Sequence, residues 1–125
     1  MDSHDKPVRL LKSFSYALTG IKAALLTERN MRIHFFVSLV VIGCSIFFSI
    51  SKLEWLFVIL AIGGILSLEL MNTAVERVVD LITKEYHPLA KQAKDLAAGA
   101  VFIYAVITVV IGIIIFIPYF FRWLF

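Results

Sequence analysis

Charge is missing where a soluble domain would need it. Only 17% of the 125 residues are Asp, Glu, Lys or Arg, and none of these falls within residues 33–50, 55–68 or 96–121. Hydrophobic residues make up 61% of the chain and mean hydropathy is +0.93. A water-soluble fold of this length cannot hide so much apolar surface, which leaves an integral membrane protein. The single cysteine, Cys44, excludes an internal disulfide, and in its apolar run it reads as inert packing. The first thirty residues lack a compact apolar core ending at a small-residue cleavage site, so no cleavable signal is expected. There is no internal repeat, low-complexity tract or second domain, and residues 1–125 read as one domain. No Walker loop or other glycine-rich phosphate loop is present either. Gly63-Gly64 lies in mid-span and fits neither pattern. The net charge of +3 is accounted for by membrane topology, without a nucleic-acid partner.

Three segments can each supply the roughly 20 apolar residues that a bilayer crossing needs. They lie in expected helices at 33–50, 55–80 and 90–121, the last opening near Pro88, whose missing N–H costs little there. Ser51-Lys-Leu-Glu54 reads as a tight turn, making the first two spans an antiparallel hairpin. Residues 9–27 are a different kind of helix. Leu10, Phe14, Ala17, Leu18, Ile21 and Leu25 share one face, with Lys12, Ser15, Thr19 and Lys22 opposite. Such a helix lies on the membrane surface with its lysines near anionic headgroups. The expected fold is therefore an all-α membrane protein, with an amphipathic surface helix and three transmembrane helices. Lys6, Arg9, Lys12, Lys22, Arg29 and Arg32 precede the first span, and Arg77, Lys84, Lys91 and Lys94 separate the second from the third. The other side holds only Lys52 and Arg122. By the positive-inside rule the N-terminus and residues 77–95 are cytoplasmic and the C-terminus is outside. Trp55, Trp123, Tyr119 and Phe120 flank the spans as interfacial aromatics do.

Glu69, Asn72, Glu76 and Asp80 fall within an arc of roughly 80° on the second of these helices, over roughly 16 Å of its axis. An acidic stripe that begins in a membrane-grade segment is costly, and it points to a site that binds cations or moves protons. The other unusual polar groups share its depth: Glu28-Arg29-Asn30 at the end of the surface helix, Glu85-Tyr86-His87 in the inner loop, and Lys91, Lys94 and Asp95 at the start of the last helix. Phosphoryl transfer needs such a set. Magnesium takes one or two carboxylates plus phosphate oxygens, a lysine neutralises phosphate charge, and a carboxylate at a hydroxyl acts as base. Each residue also has a plainer reading. Glu69 pairs with a lysine, Asn72 joins helices, Glu76 and Asp80 pair with Arg77 or Lys84, Glu28 is a solvated helix end, Lys94 and Asp95 are helix-end charges, and His34 is a structural interface histidine. A small proton- or cation-coupled transporter with Glu69 as the proton site is the alternative from another class. Against it, the outer halves of the spans carry no ionisable residue.

The stretch Glu69-Leu-Met-Asn-Thr-Ala-Val-Glu-Arg-Val-Val-Asp80, followed by His87-Pro-Leu-Ala-Lys-Gln-Ala-Lys-Asp-Leu-Ala-Ala-Gly-Ala-Val101, resembles the small bacterial integral-membrane diacylglycerol and undecaprenol kinases. The resemblance extends over nearly the whole chain. It implies a multi-pass protein of the bacterial plasma membrane that assembles as a homotrimer and uses ATP and Mg2+ to phosphorylate a lipid alcohol. It also implies that Glu69 is the catalytic base and that Glu28 and Glu76 hold magnesium. Asn72 organises the centre and Asp80 supports it. Lys94 and Asp95 contact nucleotide, and Arg9, Tyr16, Glu85, Tyr86 and His87 complete the nucleotide site. Thr27-Glu-Arg-Asn30 with His34, and His87-Pro-Leu-Ala-Lys91, look like the Gram-positive branch, which implies undecaprenol as substrate, with diacylglycerol as the alternative.

Overall fold

A computed structural model describes residues 5–125. Four helices follow one another: α1 Asp5–Thr27, α2 Arg29–Phe48, α3 Lys52–Ile82 and α4 Pro88–Leu124. There is no strand among the described residues, and α2, α3 and α4 are long and apolar enough to cross a membrane. The chain is thus the all-α multi-pass membrane protein expected. At 31 and 37 residues, α3 and α4 are roughly 46 and 55 Å long. A hydrocarbon core of roughly 30 Å cannot cover them. Several turns of each helix therefore project from the bilayer, and the polar stripe lies in the C-terminal half of α3.

One residue, Glu28, breaks the helix between α1 and α2, with φ −106° and ψ 118°. Helix ends leave carbonyls without partners. Here Arg32 reaches back and donates from Nη1 to the Leu25 and Leu26 carbonyls at 3.2 and 3.0 Å. The guanidinium thereby sets the corner between the surface helix and the first span.

The α2–α3 connection differs from the expectation. Lys52, Leu53 and Glu54 are helical, and the turn lies at 49–51. The cause is a capping box: Ser51 Oγ accepts from Glu54 N–H at 3.2 Å, and Glu54 Oε1 accepts from Ser51 N–H at 3.0 Å. The reversal itself is made by Ser49, left-handed at φ 50°. Its N–H donates to the Ile46 carbonyl and that of Ile50 to the Ser45 carbonyl, both at 3.2 Å, the paired bonds of a Schellman turn.

Glu54 also joins this hairpin to the end of α4. Tyr119 Oη donates to Glu54 Oε1 at 2.6 Å, and Arg122 lies 4.8 Å over the Tyr119 ring. Phe48 packs against Tyr119 and Phe120 beside the buried cluster of Ile50, Val58 and Ile115. In mid-span, Tyr104 Oη donates to the Leu60 carbonyl at 2.7 Å. Only a glycine at position 64 permits this, because a Cβ there would lie 2.1 Å from the tyrosine ring. At Gly63 a Cβ meets nothing within 4 Å. Gly64→Ala is therefore expected to push the ring aside and break its bond, at a cost of about 1 kcal/mol relative to Gly63→Ala. Thermal unfolding of the two variants in detergent measures the difference. Equal stability would show that the Tyr104 contact does not hold α3 against α4.

Candidate active site

The elbow at Glu28, the start of α2 and the C-terminal half of α3 bring buried polar groups together. Glu69 is 3% exposed and Asn72 is 8% exposed. Polar groups this well covered persist when they are paired or used. His34 lies beside Glu69, Nε2 to Oε2 at 3.8 Å. Glu28 and Glu76 are also near enough to act on Glu69 through their charge. Asn72 Nδ2 donates to Glu76 Oε1 at 3.4 Å, while Asn72 Oδ1 is buried without a hydrogen-bond partner among the described residues. The centre therefore offers carboxylate oxygens and an unspent amide oxygen, the donor chemistry of a hard cation or of a hydroxyl ligand. No group of three or more His, Cys, Asp or Glu suited to hold a metal by itself occurs among the described residues.

Arg77 fastens Glu28 to α3. Its Nη2 donates to Thr27 Oγ1 at 2.8 Å and lies 3.8 Å from Glu28 Oε1, across fifty residues of chain. Arg77 thus belongs to Glu28, rather than to Glu76 or Asp80 as its neighbourhood in sequence suggests. His34, read from the sequence as a structural interface histidine, faces Glu69 across the two helices. The hairpin alone places the two at similar depth, His34 roughly 16 residues before Ile50 and Glu69 roughly 19 after it, about 24 and 28 Å along antiparallel helices, but it does not say that their faces meet.

A second cluster lies further along the same face of α3. Lys94 Nζ donates to Asp80 Oδ1 at 2.6 Å, and Lys91 pairs with Asp95 one turn away. With Glu85, Tyr86 and His87 these residues line an open cavity of about 270 Å³. The loop is held by its own side chains. Glu85 N–H donates to Thr83 Oγ1 at 3.2 Å, and His87 Nδ1 accepts from Leu89 N–H at 3.1 Å, capping α4 ahead of Pro88. Lys94 also feels the charge of Glu76, so it stands where the two clusters adjoin. This open cavity is polar and carries both signs, whereas Glu69 is buried. Arg9 and Tyr16 do not line this cavity. Tyr16 is exposed and lines a separate groove between α1 and α3 with Ala17, Gly20, Leu70, Thr73 and Arg77.

Residues 15–116 match the family described as prokaryotic diacylglycerol kinase. The chain is 49% identical over 121 residues to the undecaprenol kinase of Bacillus subtilis (strain 168), covering 94% of this chain and 98% of that protein. It is 43% identical over 104 residues to the diacylglycerol kinase of Synechocystis sp., covering 82% of this chain and 59% of that protein. To the diacylglycerol kinase of Haemophilus influenzae it is 37% identical over 94 residues, covering 75% and 80%.

Proposed function

Because the chain belongs to the prokaryotic diacylglycerol kinase family and is a lipid kinase, we propose that it transfers the γ-phosphoryl group of ATP to the hydroxyl of undecaprenol. The observation that carries the choice of lipid is the 49% identity to an undecaprenol kinase along almost the full length of both chains. Diacylglycerol is the second reading, favoured by the more distant relatives. A transporter is no longer an alternative once the chain is a kinase.

In this reading the lipid hydroxyl reaches Glu69 from the inner leaflet, and Glu69 takes its proton as transfer occurs. Asp80, Glu85, Tyr86, His87, Lys94 and Asp95 receive the nucleotide from the cytoplasm; Arg9 and Tyr16 lie outside that cavity, and their part in nucleotide binding rests on the family resemblance. Lys94 neutralises phosphate charge. Glu28 and Glu76 are the carboxylates that would hold magnesium, and the unpartnered Asn72 Oδ1 beside them supports an oxygen-rich cation site. When bound, the ion offsets the charge of the phosphate oxygens. Transfer is direct and in line, with catalysis by positioning and charge neutralisation. Arg77 positions Glu28 for this set.

The proposed orientation places the N-terminus and residues 77–95 in the cytoplasm and the C-terminus outside, on the balance of Lys and Arg. The proposed assembly is a homotrimer. Its support is the family resemblance and a nucleotide cavity that a single chain leaves open.

The test uses detergent-solubilised protein, radiolabelled ATP, and undecaprenol or diacylglycerol in the same mixed micelles. The expected result is a higher kcat/KM for undecaprenol, with the rate lost when EDTA removes divalent metal. Some diacylglycerol turnover is expected, because apolar contacts discriminate by only about 1–3 kcal/mol per methylene. Equal values or the reverse order would make the protein a diacylglycerol kinase.

A further inference from the structure

Lys91 stands beside Lys94 and Asp95 near the start of α4, yet it alone of the three has no part in the proposed site. It lines the open cavity of about 270 Å³ formed by the α3–α4 loop and the helix ends beside it. Three acids and three lysines share that lining: Asp80, Glu85 and Asp95 with Lys84, Lys91 and Lys94. Lys91 pairs with Asp95, and Lys94 with Asp80. A purely structural account of the first pair is poor. Its side chains are 60% and 62% exposed, and an exposed pair contributes little to stability. The order is also the weaker one, lysine before acid along the helix, and a lysine so near a helix start works against the helix dipole. Topology does not need it either, because Arg77, Lys84 and Lys94 mark the same side.

We infer that Lys91 binds the phosphates that stay with the nucleotide, the α and β groups of ATP. The inference rests on this cavity as the nucleotide site. Lys91 and Lys94 are three residues apart on one helix, so they neighbour each other on its surface, with Cβ atoms roughly 5–6 Å apart. Two ammonium groups so placed reach adjacent phosphates. Which lysine meets which phosphate follows from direction. Lys94 holds Asp80 of α3 and feels the charge of Glu76, so it is the lysine beside the acidic centre where transfer takes place. Lys91 lies one turn nearer the loop, away from that centre. The γ-phosphoryl group must point to the lipid hydroxyl, so the remaining phosphates trail toward Lys91. A cation on those phosphates holds the nucleotide equally before and during transfer. Such uniform binding lowers KM and leaves kcat alone. An ammonium has three donors, so Lys91 keeps Asp95 while it takes a phosphate oxygen, and Asp95 in turn holds the lysine at the cavity.

The test uses the full-length protein in detergent with saturating lipid and magnesium, ATP as the varied substrate, and ADP and adenosine as competing ligands. Lys91→Gln is expected to raise the KM for ATP and the inhibition constant of ADP by about tenfold, the worth of one hydrogen bond to a charged group, with kcat near its wild-type value. The inhibition constant of adenosine, which has no phosphate, should not change. Lys91→Arg should recover most of the binding. Added KCl should weaken ADP binding less steeply in Lys91→Gln than in wild type, because one charge fewer is screened. A merely structural lysine would not move that slope. Unchanged ADP inhibition in Lys91→Gln would overturn the assignment. An equal loss for ADP and adenosine would overturn it too, and would mean a distorted cavity. A fall in kcat with KM unchanged would place Lys91 at the transferred group instead of the retained phosphates. Lys94→Ala is assayed alongside. If it alters kcat or the KM for ATP while Lys91→Gln alters neither, this inference fails and the nucleotide site stands. If neither variant changes any nucleotide constant, the cavity is not the nucleotide site and both readings fall.

Discussion

Glu69→Gln is expected to lower phosphoryl transfer by about 10²–10⁴-fold, the range over which a positioned general base contributes. The substitution keeps the size and polarity of a side chain that is 3% exposed, so packing between α2 and α3 survives it. What it removes is the group proposed to receive the hydroxyl proton. That proton leaves only as the phosphoryl group is transferred, so the loss should appear in kcat, with nucleotide binding retained. The proposed nucleotide cluster lies further along α3, around Asp80 and Lys94, away from the substituted carboxylate. Single-turnover transfer from radiolabelled ATP, alongside equilibrium nucleotide binding, separates the two effects. Near-normal turnover would remove Glu69 from the role of base. Loss of nucleotide binding with turnover would make it a structural member of the site.

Lys94→Ala is the second large effect. The Lys94 ammonium lies 2.6 Å from Asp80 Oδ1 and within electrostatic reach of Glu76. Its side chain is 39% exposed, so the ion pair contributes little to stability, and the variant should fold as wild type. The expected loss is instead catalytic. A cation placed where phosphate charge gathers is worth about 10²–10³-fold in rate, by analogy with removing one preorganised donor. The KM for ATP should rise or kcat fall, while the KM for lipid stays near its wild-type value. Titrating ATP at fixed lipid, and then lipid at fixed ATP, makes the comparison. A shift in lipid KM alone would place Lys94 at the lipid headgroup and away from the phosphates.

Local chemistry along the chain determined much of this protein. Runs without charge at 33–50, 55–68 and 96–121 specify membrane helices, because hydrocarbon demands internal backbone hydrogen bonds and rejects charge whatever the rest of the chain does. The face shared by Glu69, Asn72, Glu76 and Asp80 follows from the helical period alone. The start of α3 at Ser51 was also legible, as a serine followed three residues later by a glutamate, although the stretch reads at first as a turn. Tertiary structure decided which side chains meet. Arg77 reaches Glu28, Lys94 reaches Asp80, His34 reaches Glu69, and Tyr104 lies against Gly64. Each of these pairs joins two helices, or a helix and the elbow before α2. Periodicity describes every helix about its own axis and carries no information on how one is rotated against another. That rotation is set by van der Waals fit and by a few cross-helix hydrogen bonds, because lipid is as apolar as the helix surface and offers no hydrophobic drive to choose between faces. In this chain the fit is made by Gly64 under the Tyr104 ring and by Glu54 on Tyr119, and it is these contacts that turn the acidic stripe of α3 toward His34, Glu28 and Lys94.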